Sequence, residues 1–223
     1  NTDADGTTTG GDTIHGDGLW YTEEYPEDRW IADWRTMAER YRDVPAVVGA
    51  DLRNEIRGQL AADAPDTCTD CNTPTADCVC EWGSWGDPTG TNRDWTVAAE
   101  RAGNAIHEMD PDLLIIVEGP HWASWLGASY RPIRLTLPNK VVYSAHAYQQ
   151  MNAFTGDCPA YKEMLDSAWG HVAKNGIGPV WLGEFGVSQT ANDNPWWICI
   201  REYLAENDLD WSYWALNGTQ GPG

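Results

Sequence analysis

The sequence has few basic residues: 14 lysines and arginines stand against 34 aspartates and glutamates, and the formal net charge is −20. Nucleic acids and anionic membranes attract clustered lysine and arginine, so the charge argues against both as partners. Long hydrophobic runs are also missing, since none approaches the roughly 20 residues that a membrane-spanning helix needs. These absences leave a neutral polymer as a compatible ligand, and we expect neither nucleic acid nor membrane as a partner.

Phenylalanine is scarce, with 2 residues, whereas the chain has 14 tryptophans. Tryptophan combines a large apolar face with an N–H group that can bond near water, a combination that sugar-binding clefts use. We expect four tryptophans, which lie at helical positions, to fill the core: Trp30, Trp34, Trp95 and Trp169. Four others near strand ends or in loops can belong to either a cleft or the core: Trp20, Trp122, Trp181 and Trp214.

Six cysteines are present, and four of them fall within one loop: Cys68, Cys71, Cys78 and Cys80. Their last two are separated by a single residue, which is tighter than the usual pair of zinc-binding knuckles. We therefore expect disulfides and an oxidising, extracellular location, with structural zinc as the alternative. Cys158 and Cys199 lie in separate elements, and a bridge between them would join the loop after one strand to a later helix.

Apolar periodicity and turn signals give the organisation of the chain. A loop over residues 1–18 precedes a helix over 27–41, and a long loop rich in cysteine, glycine and proline covers 56–92. The other helices are expected over 94–109, 161–174 and 194–207, and the strands over 46–54, 113–117, 140–146, 178–185 and 210–216. The length of 223 residues suits one domain.

Five apolar strands separated by helices predict an α/β fold with a parallel sheet. A doubly wound sheet is the natural competitor, but no glycine-rich phosphate-binding turn follows any of the strands. We therefore predict an incomplete (β/α)8 barrel, in which reacting groups lie at the C-terminal ends of the strands.

Two apolar runs, residues 47–55 and 180–186, each deliver a glutamate at a strand end: Glu55 and Glu184. His146 and Tyr148 follow another strand and are two residues apart, so they face the same side. Asn54 and Glu55 are adjacent and would face opposite sides of a regular strand. They reach one site only if the strand breaks or bulges there.

Five stretches together resemble family 5 of the glycoside hydrolases, and in particular its endo-β-1,4-glucanase branch. The matching stretches, within a resemblance that runs from residue 19 to 214, are VGADLRNE (48–55), AAERAGNA (98–105), LIIVEG (114–119), VYSAHAY (142–148) and VWLGEFG (180–186). The resemblance implies a β-1,4-glucan substrate, no cofactor, no metal and a monomer at full length. It also implies that the chain lacks the family's first three strands, so that residues 1–223 form a partial catalytic domain with strands 4 to 8.

By this resemblance Glu55 is the general acid/base and Glu184 the nucleophile of a retaining mechanism, which needs the two carboxyls roughly 5 Å apart. We expect surroundings to raise the pKa of the acid and hydrogen bonds to keep the nucleophile ionised. Tyr148 is the expected donor to Glu184, and His146 would orient both glutamates.

The resemblance also assigns substrate contacts. Asn54 is expected to bond the hydroxyl beside the reacting carbon, and Trp214 to stack on a sugar ring. Trp122 is a further candidate for substrate binding, and Glu118 is expected to make either a substrate hydrogen bond or a structural ion pair. Ile56 stands where most of the family has proline.

Three alternatives stay open. A decayed barrel can bind carbohydrate without hydrolysis, although both Glu55 and Glu184 are retained. An interaction module organised by the cysteines would leave the strand-end residues unexplained. Other β-glycan, mannan and glycolipid hydrolases share the same core.

Overall fold

The computed structural model describes residues 18–60, 80–86, 93–151, 154–187 and 193–215. The described elements, in chain order, are α1 (Glu27–Tyr41), β1 (Gly49–Asp51), β2 (Gly58–Leu60), β3 (Cys80–Trp82), α2 (Trp95–Met109), β4 (Leu114–Glu118), β5 (Val141–Ala147), α3 (Cys158–Leu165), a π-helical turn (Asp166–Gly170), α4 (His171–Lys174), β6 (Val180–Phe185), α5 (Pro195–Glu206) and β7 (Asp210–Tyr213).

Five strands form one sheet in the order β1-β4-β5-β6-β7, and every neighbouring pair is parallel. The chain adds each new strand beside the previous one, so all five C-terminal ends lie along a single rim. Helices cover the outer side: Ile115 of β4 is fully buried, and Gly103 of α2 approaches it closely enough that an added Cβ would lie 3.2 Å away.

The helices α1 and α2 pack together around an aromatic cluster. The Trp95 ring centroid lies 5.1 Å from that of Trp20 and 5.9 Å from that of Trp30. Trp30, Trp95 and Trp169 are buried, as predicted. Trp34 is only partly buried, and its indole N–H donates to the Leu52 carbonyl at 3.2 Å. Trp20 is 1% exposed and belongs to the core, where it lines a cavity along the β1 edge.

Helix starts follow the expected capping chemistry. The carboxylate of Asp94 accepts a hydrogen bond from the Thr96 N–H at 3.0 Å, and Asp157 does the same for the Ala160 N–H at 3.1 Å. Because of the second cap, α3 begins at Cys158, before the predicted start at residue 161. The predicted helix also contains the π-helical turn Asp166–Gly170.

Two other predictions about elements were wrong. The first sheet strand is short, covering Gly49–Asp51 rather than 46–54, because the chain leaves the sheet soon after Asp51. The segment predicted as a loop over 56–92 contains an antiparallel pair, β2 with β3. Residues 119–140, between β4 and β5, contain turns and irregular segments, and no helix was predicted there.

Cys158 and Cys199 form a disulfide that ties the start of α3 to α5, with their Cα atoms 5.7 Å apart. This confirms the bridge considered from sequence. Cys68, Cys71 and Cys78 lie outside the described residues, and of Cys80 only the backbone is described. None of the described helices has the length and apolar character needed to cross a membrane.

Candidate active site

The chain leaves the sheet between Asp51 and Glu55. This is the strand break that Asn54 and Glu55 need in order to reach one site. Glu55 has a φ of 50°, in the left-handed region, and its backbone N–H donates to Glu118 Oε2 at 2.6 Å. Ile56 then forms an isolated parallel bridge with Pro120. Asn54 lies beside Glu55 and lines a cavity of about 410 Å³ at the β1 edge. The break therefore turns the Glu55 side chain onto the rim.

A second irregularity aligns β5 with β6. The strand register shifts between Ala145 and His146, so that His146 pairs with Glu184. Tyr148, two residues beyond His146, donates its hydroxyl to Glu184 Oε2 at 2.8 Å. The donor predicted for Glu184 is therefore in place, and the rim brings both glutamates to one histidine.

His146 lies at the centre of this group and is 1% exposed. Its Nδ1 lies 2.9 Å from Glu55 Oε1 and 3.7 Å from Glu184 Oε2, and its Nε2 lies 3.2 Å from Glu118 Oε1. Burial alone would lower the pKa of His146. Hydrogen bonds to Glu118 and Glu55, with the charges of Glu118 and Glu184, instead raise that pKa to about 10. The ring is therefore an imidazolium at neutral pH, with a donor on each nitrogen.

Burial raises the pKa of Glu184 above its ordinary value. The positive charge of His146 and the Tyr148 hydrogen bond act in the opposite direction, while the charges of Glu55 and Glu118 add to the rise. The hydrogen bond from Tyr148 to Glu184 was predicted correctly. The prediction that such bonds decide the pKa of Glu184 was wrong, because desolvation raises this pKa by more than the bond lowers it. Tyr148 in turn has a raised pKa, first from burial and then from the charge of Glu184, and remains a neutral donor.

Glu55 and Glu184 face each other closely enough for retaining glycoside chemistry. One carboxylate oxygen of each, with one His146 nitrogen, forms a group whose members all lie within 4.8 Å. Side chains of Glu55 and Glu184 are 14% and 18% exposed, so a substrate can reach them. The same spacing suits a metal ion, but an imidazolium that donates from both nitrogens has no lone pair for one.

Glu118 is 1% exposed, and both of its oxygens are held by the site: one by the Glu55 backbone N–H and one by His146. Of the two roles expected for Glu118, the structural ion pair is the one these contacts form. Its backbone carbonyl also accepts the Trp95 indole N–H at 2.8 Å.

The two tryptophan candidates follow the ends of β7 and β4. Trp214 is 55% exposed, and its backbone N–H donates to the Phe185 carbonyl at 2.9 Å, next to Glu184. A glycine at 186 permits this approach, since a Cβ there would lie 2.0 Å from the Trp214 carbonyl oxygen. Trp122 is partly exposed. Trp181, the other cleft candidate, is partly buried within β6.

Sequence reasoning missed two features of the site. The turn His121-Trp122-Ala123 has three consecutive left-handed residues, with φ of 56°, 57° and 57°. It connects the segment that follows Glu55 to strand β5, because the Trp122 N–H donates to the Ile56 carbonyl and the Ala123 carbonyl accepts the His146 N–H. The second missed feature is Asp51, whose carboxyl lies below the rim. The sequence contained a signal for it, because Asp51 is a charged residue inside an apolar run.

Comparison with known proteins gives a consistent picture. The family model described as cellulase, glycosyl hydrolase family 5, matches residues 13–220. An endoglucanase of Paenibacillus polymyxa is 36% identical over 91% of this chain, which corresponds to 50% of the relative's length.

Solved structures agree. The catalytic domain of the major endoglucanase of Xanthomonas campestris superposes with a TM-score of 0.71 at 27% identity, covering 95% of this chain and 60% of that one. The endocellulase of Pyrococcus horikoshii, which has also been solved with cellotetraose, gives 0.72 at 27% identity over 93% of this chain and 59% of that one. These likenesses and the parallel strand order confirm the predicted incomplete (β/α)8 barrel. The chain spans about half the length of the curated relative from Paenibacillus and less of the others.

Proposed function

Because the chain belongs to glycosyl hydrolase family 5, the cellulase family, we propose that the protein containing it hydrolyses β-1,4-glucan with retention of anomeric configuration. The observation that carries this proposal is the convergence of Glu55 and Glu184, from separate strands, on His146 at the rim. Their carboxylate oxygens lie within 4.8 Å, in keeping with the roughly 5 Å separation of retaining pairs.

Glu184 is the nucleophile and Glu55 the acid/base. In the first step a Glu184 oxygen bonds to the anomeric carbon while the glycosidic C–O bond breaks and Glu55 gives its proton to the leaving oxygen. In the second step Glu55 takes a proton from water, the water oxygen attacks the same carbon, and the bond to Glu184 breaks. Each glutamate ends in its starting state.

The surroundings support this division of roles. Tyr148 donates only to Glu184, which stabilises the ionised form that attacks. The raised pKa of Glu184 means that turnover needs a pH high enough to ionise it. The imidazolium of His146 offsets the repulsion between the two carboxylates and keeps both in place.

Substrate contacts are proposed for three further residues. Trp214, more than half exposed beside the Glu184 strand, offers an indole face for stacking on a glucose ring. Asn54, adjacent to Glu55, would bond the hydroxyl next to the reacting carbon, and Trp122 would contact the sugar from the turn after β4. The endocellulase of Pyrococcus horikoshii has been solved in complex with cellotetraose, so the ligand class proposed for this site is a β-1,4-linked glucose oligomer or polymer.

We further propose that residues 1–223 act as part of one catalytic domain, that the protein is secreted, and that it works as a monomer without metal or cofactor. The Xanthomonas relative is described as extracellular, and the Cys158–Cys199 bridge suits an oxidising compartment. The net charge of −20 gives no attraction to nucleic acid or to anionic membranes.

Hydrolysis of soluble carboxymethylcellulose by the whole protein that contains this chain tests the proposal, with mannan and laminarin as alternative substrates. We expect turnover of the cellulose derivative and loss of at least about 1,000-fold in both Glu184→Gln and Glu55→Gln. The exposed Glu202→Gln is the matched control and should keep full activity. NMR of the first product should show the β-anomer.

Other results would redirect the proposal. Turnover of mannan or laminarin in preference to carboxymethylcellulose would change the substrate class and keep the mechanism. Binding of cellotetraose by the wild type without any turnover would favour a carbohydrate-binding protein. An α-anomer as the first product would contradict retention.

A further inference from the structure

Below the rim, a third carboxyl joins the group around His146. Asp51 on β1 pairs in register with Ile116 of β4, and Glu118 lies two residues further along β4. Side chains at this spacing share one face of the sheet, so Asp51 and Glu118 both point to the barrel interior. Burial raises the pKa of Asp51, and the two carboxyl groups lie close enough that the charge of Glu118 and contact with it raise that pKa further.

Two carboxyl groups can share a hydrogen bond only if one of them carries a proton. Glu118 already accepts on both oxygens, from the Glu55 N–H at 2.6 Å and from His146 Nε2 at 3.2 Å. The proton between the two acids therefore belongs to Asp51. The second Asp51 oxygen, Oδ1, is buried and has no hydrogen-bond partner among the described residues, an arrangement much less costly for a neutral acid than for a charged one.

Resting on the proposed glycosidase function, we propose that Asp51 is a positioning residue: it donates its O–H to Glu118 and thereby orients the carboxylate that holds the Glu55 backbone and His146. Asp51 does not touch the substrate. It acts through Glu118, whose two oxygens must point in two fixed directions, one along the Glu55 N–H and one along the His146 ring.

The electrostatics of the group agree with a neutral Asp51. Its pKa is raised well above the ordinary value, first by burial and then by the charge of Glu118, with partial opposition from His146 and a further rise from Glu184. An ionised Asp51 would add another negative charge to three glutamates balanced by a single imidazolium. A neutral donor below the site stabilises Glu118 without that repulsion.

The consequence for catalysis is geometric. Glu55 follows a break in the chain and has a left-handed backbone, so the strand does not fix its direction. Its backbone N–H is anchored instead by Glu118, and its side chain by His146, which Glu118 also contacts. If Glu118 rotates, both anchors shift together, and a displacement of about 1 Å at a reacting group costs up to about 100-fold in rate.

The test compares Asp51→Asn with Asp51→Ala in the whole protein. Asparagine keeps the shape and offers an N–H donor to Glu118, whereas alanine offers none. We expect Asp51→Ala to lower kcat about tenfold with little change in KM, and Asp51→Asn to stay within about threefold of wild type. Difference infrared spectroscopy at pH 7 should show a carboxylic-acid C=O band in wild type that is absent from Asp51→Asn.

The infrared band needs no turnover, so it separates this proposal from the glycosidase proposal. If the wild type shows the band but hydrolyses no glucan, the proposed function fails and the neutral donor stands. If Asp51→Asn loses as much kcat as Asp51→Ala, or if no band is lost, a charged Asp51 is the active form and the proposal is overturned. An unchanged kcat in a folded Asp51→Ala would overturn it as well.

Discussion

His146 is the residue on which the site depends electrostatically. Three carboxylates lie within 3.7 Å of its two ring nitrogens, and their combined effect raises its pKa to about 10 although burial opposes it. The histidine therefore acts as a fixed positive charge rather than as a proton shuttle near neutral pH.

Tyr148→Phe provides a test of how the proposed nucleophile, Glu184, is kept ionised. In the wild type, the 2.8 Å hydrogen bond from Tyr148 lowers the pKa of the Glu184 carboxyl. The substitution removes that bond. We expect the pKa of Glu184 to rise further, and the acidic limb of the kcat/KM profile to move to higher pH. Loss of a hydrogen bond to a charged group, worth about 1.5–3 kcal/mol, predicts a fall in kcat of roughly 10- to 100-fold.

Tyr130→Phe is the matched control, because this tyrosine is 61% exposed and away from the glutamates. The pH–rate profile on carboxymethylcellulose is the measurement. An acidic limb that stays in place or moves to lower pH in Tyr148→Phe would show that Tyr148 does not stabilise the Glu184 carboxylate.

These residue roles differ in how far sequence could predict them. The pairing of Tyr148 with Glu184 followed from strand ends and family resemblance, and the geometry agrees with it. The contact between Asp51 and Glu118 depends on the register between β1 and β4, which joins residues 67 positions apart in the chain. No local pattern encodes such a register, so the partner of Asp51 became visible only in the structure.

Among the elements, helix α5 ends in a left-handed turn at a residue that is not glycine. The Leu209 N–H donates to the Leu204 carbonyl at 3.1 Å, which is the long bond of a Schellman motif. The residue that turns the chain there, Asp208, is exposed and has a φ of 51°. Glycine adopts this conformation without strain, whereas an L side chain does not.

Asp208→Gly should therefore stabilise the fold by about 0.5–1 kcal/mol. Asp208→Ala is the matched control: it removes the same carboxylate but keeps a Cβ in the left-handed region, and it should be no more stable than wild type. Urea unfolding followed by tryptophan fluorescence gives both values. Equal stabilisation in both variants would mean that loss of negative charge, rather than relief of backbone strain, is responsible.

Helices and strands also differed in how well sequence bounded them. The helix α1 occupies Glu27–Tyr41 as predicted, and α2 begins one residue after its cap, because capping residues mark helix ends locally. The strand β1 was predicted too long because its apolar pattern continues past the point where the chain turns. That turn is stabilised from outside the segment, by Glu118 and Pro120, so local residues could not reveal it.

Across the whole molecule, the site arises from the strand order. Each strand adds beside the previous one, so Glu55, Glu118, His146 and Glu184 end on one rim although 129 positions separate the first from the last. Sequence predicted this because parallel strands with helical crossovers place their C-terminal ends together. It could not predict the closeness of the side chains, which depends on the register shift at Ala145 and His146.

The Cys158–Cys199 disulfide is the one covalent cross-link in the described part of the chain, and it spans 41 positions to tie α3 to α5 across β6. Loop-closure entropy for a loop of this length predicts a stabilisation of about 4 kcal/mol, and removal of a native disulfide typically costs about 2–5 kcal/mol. We expect the double variant Cys158→Ala/Cys199→Ala to lose roughly this amount of unfolding free energy in urea.

The kcat of this double variant should change little at assay temperatures where it stays folded, because neither cysteine lies at the rim. Adding reductant to the double variant isolates any contribution from the remaining cysteines. A double variant as stable as wild type would show that packing of α5, whose Cys199 is 1% exposed, holds these helices together without the bond.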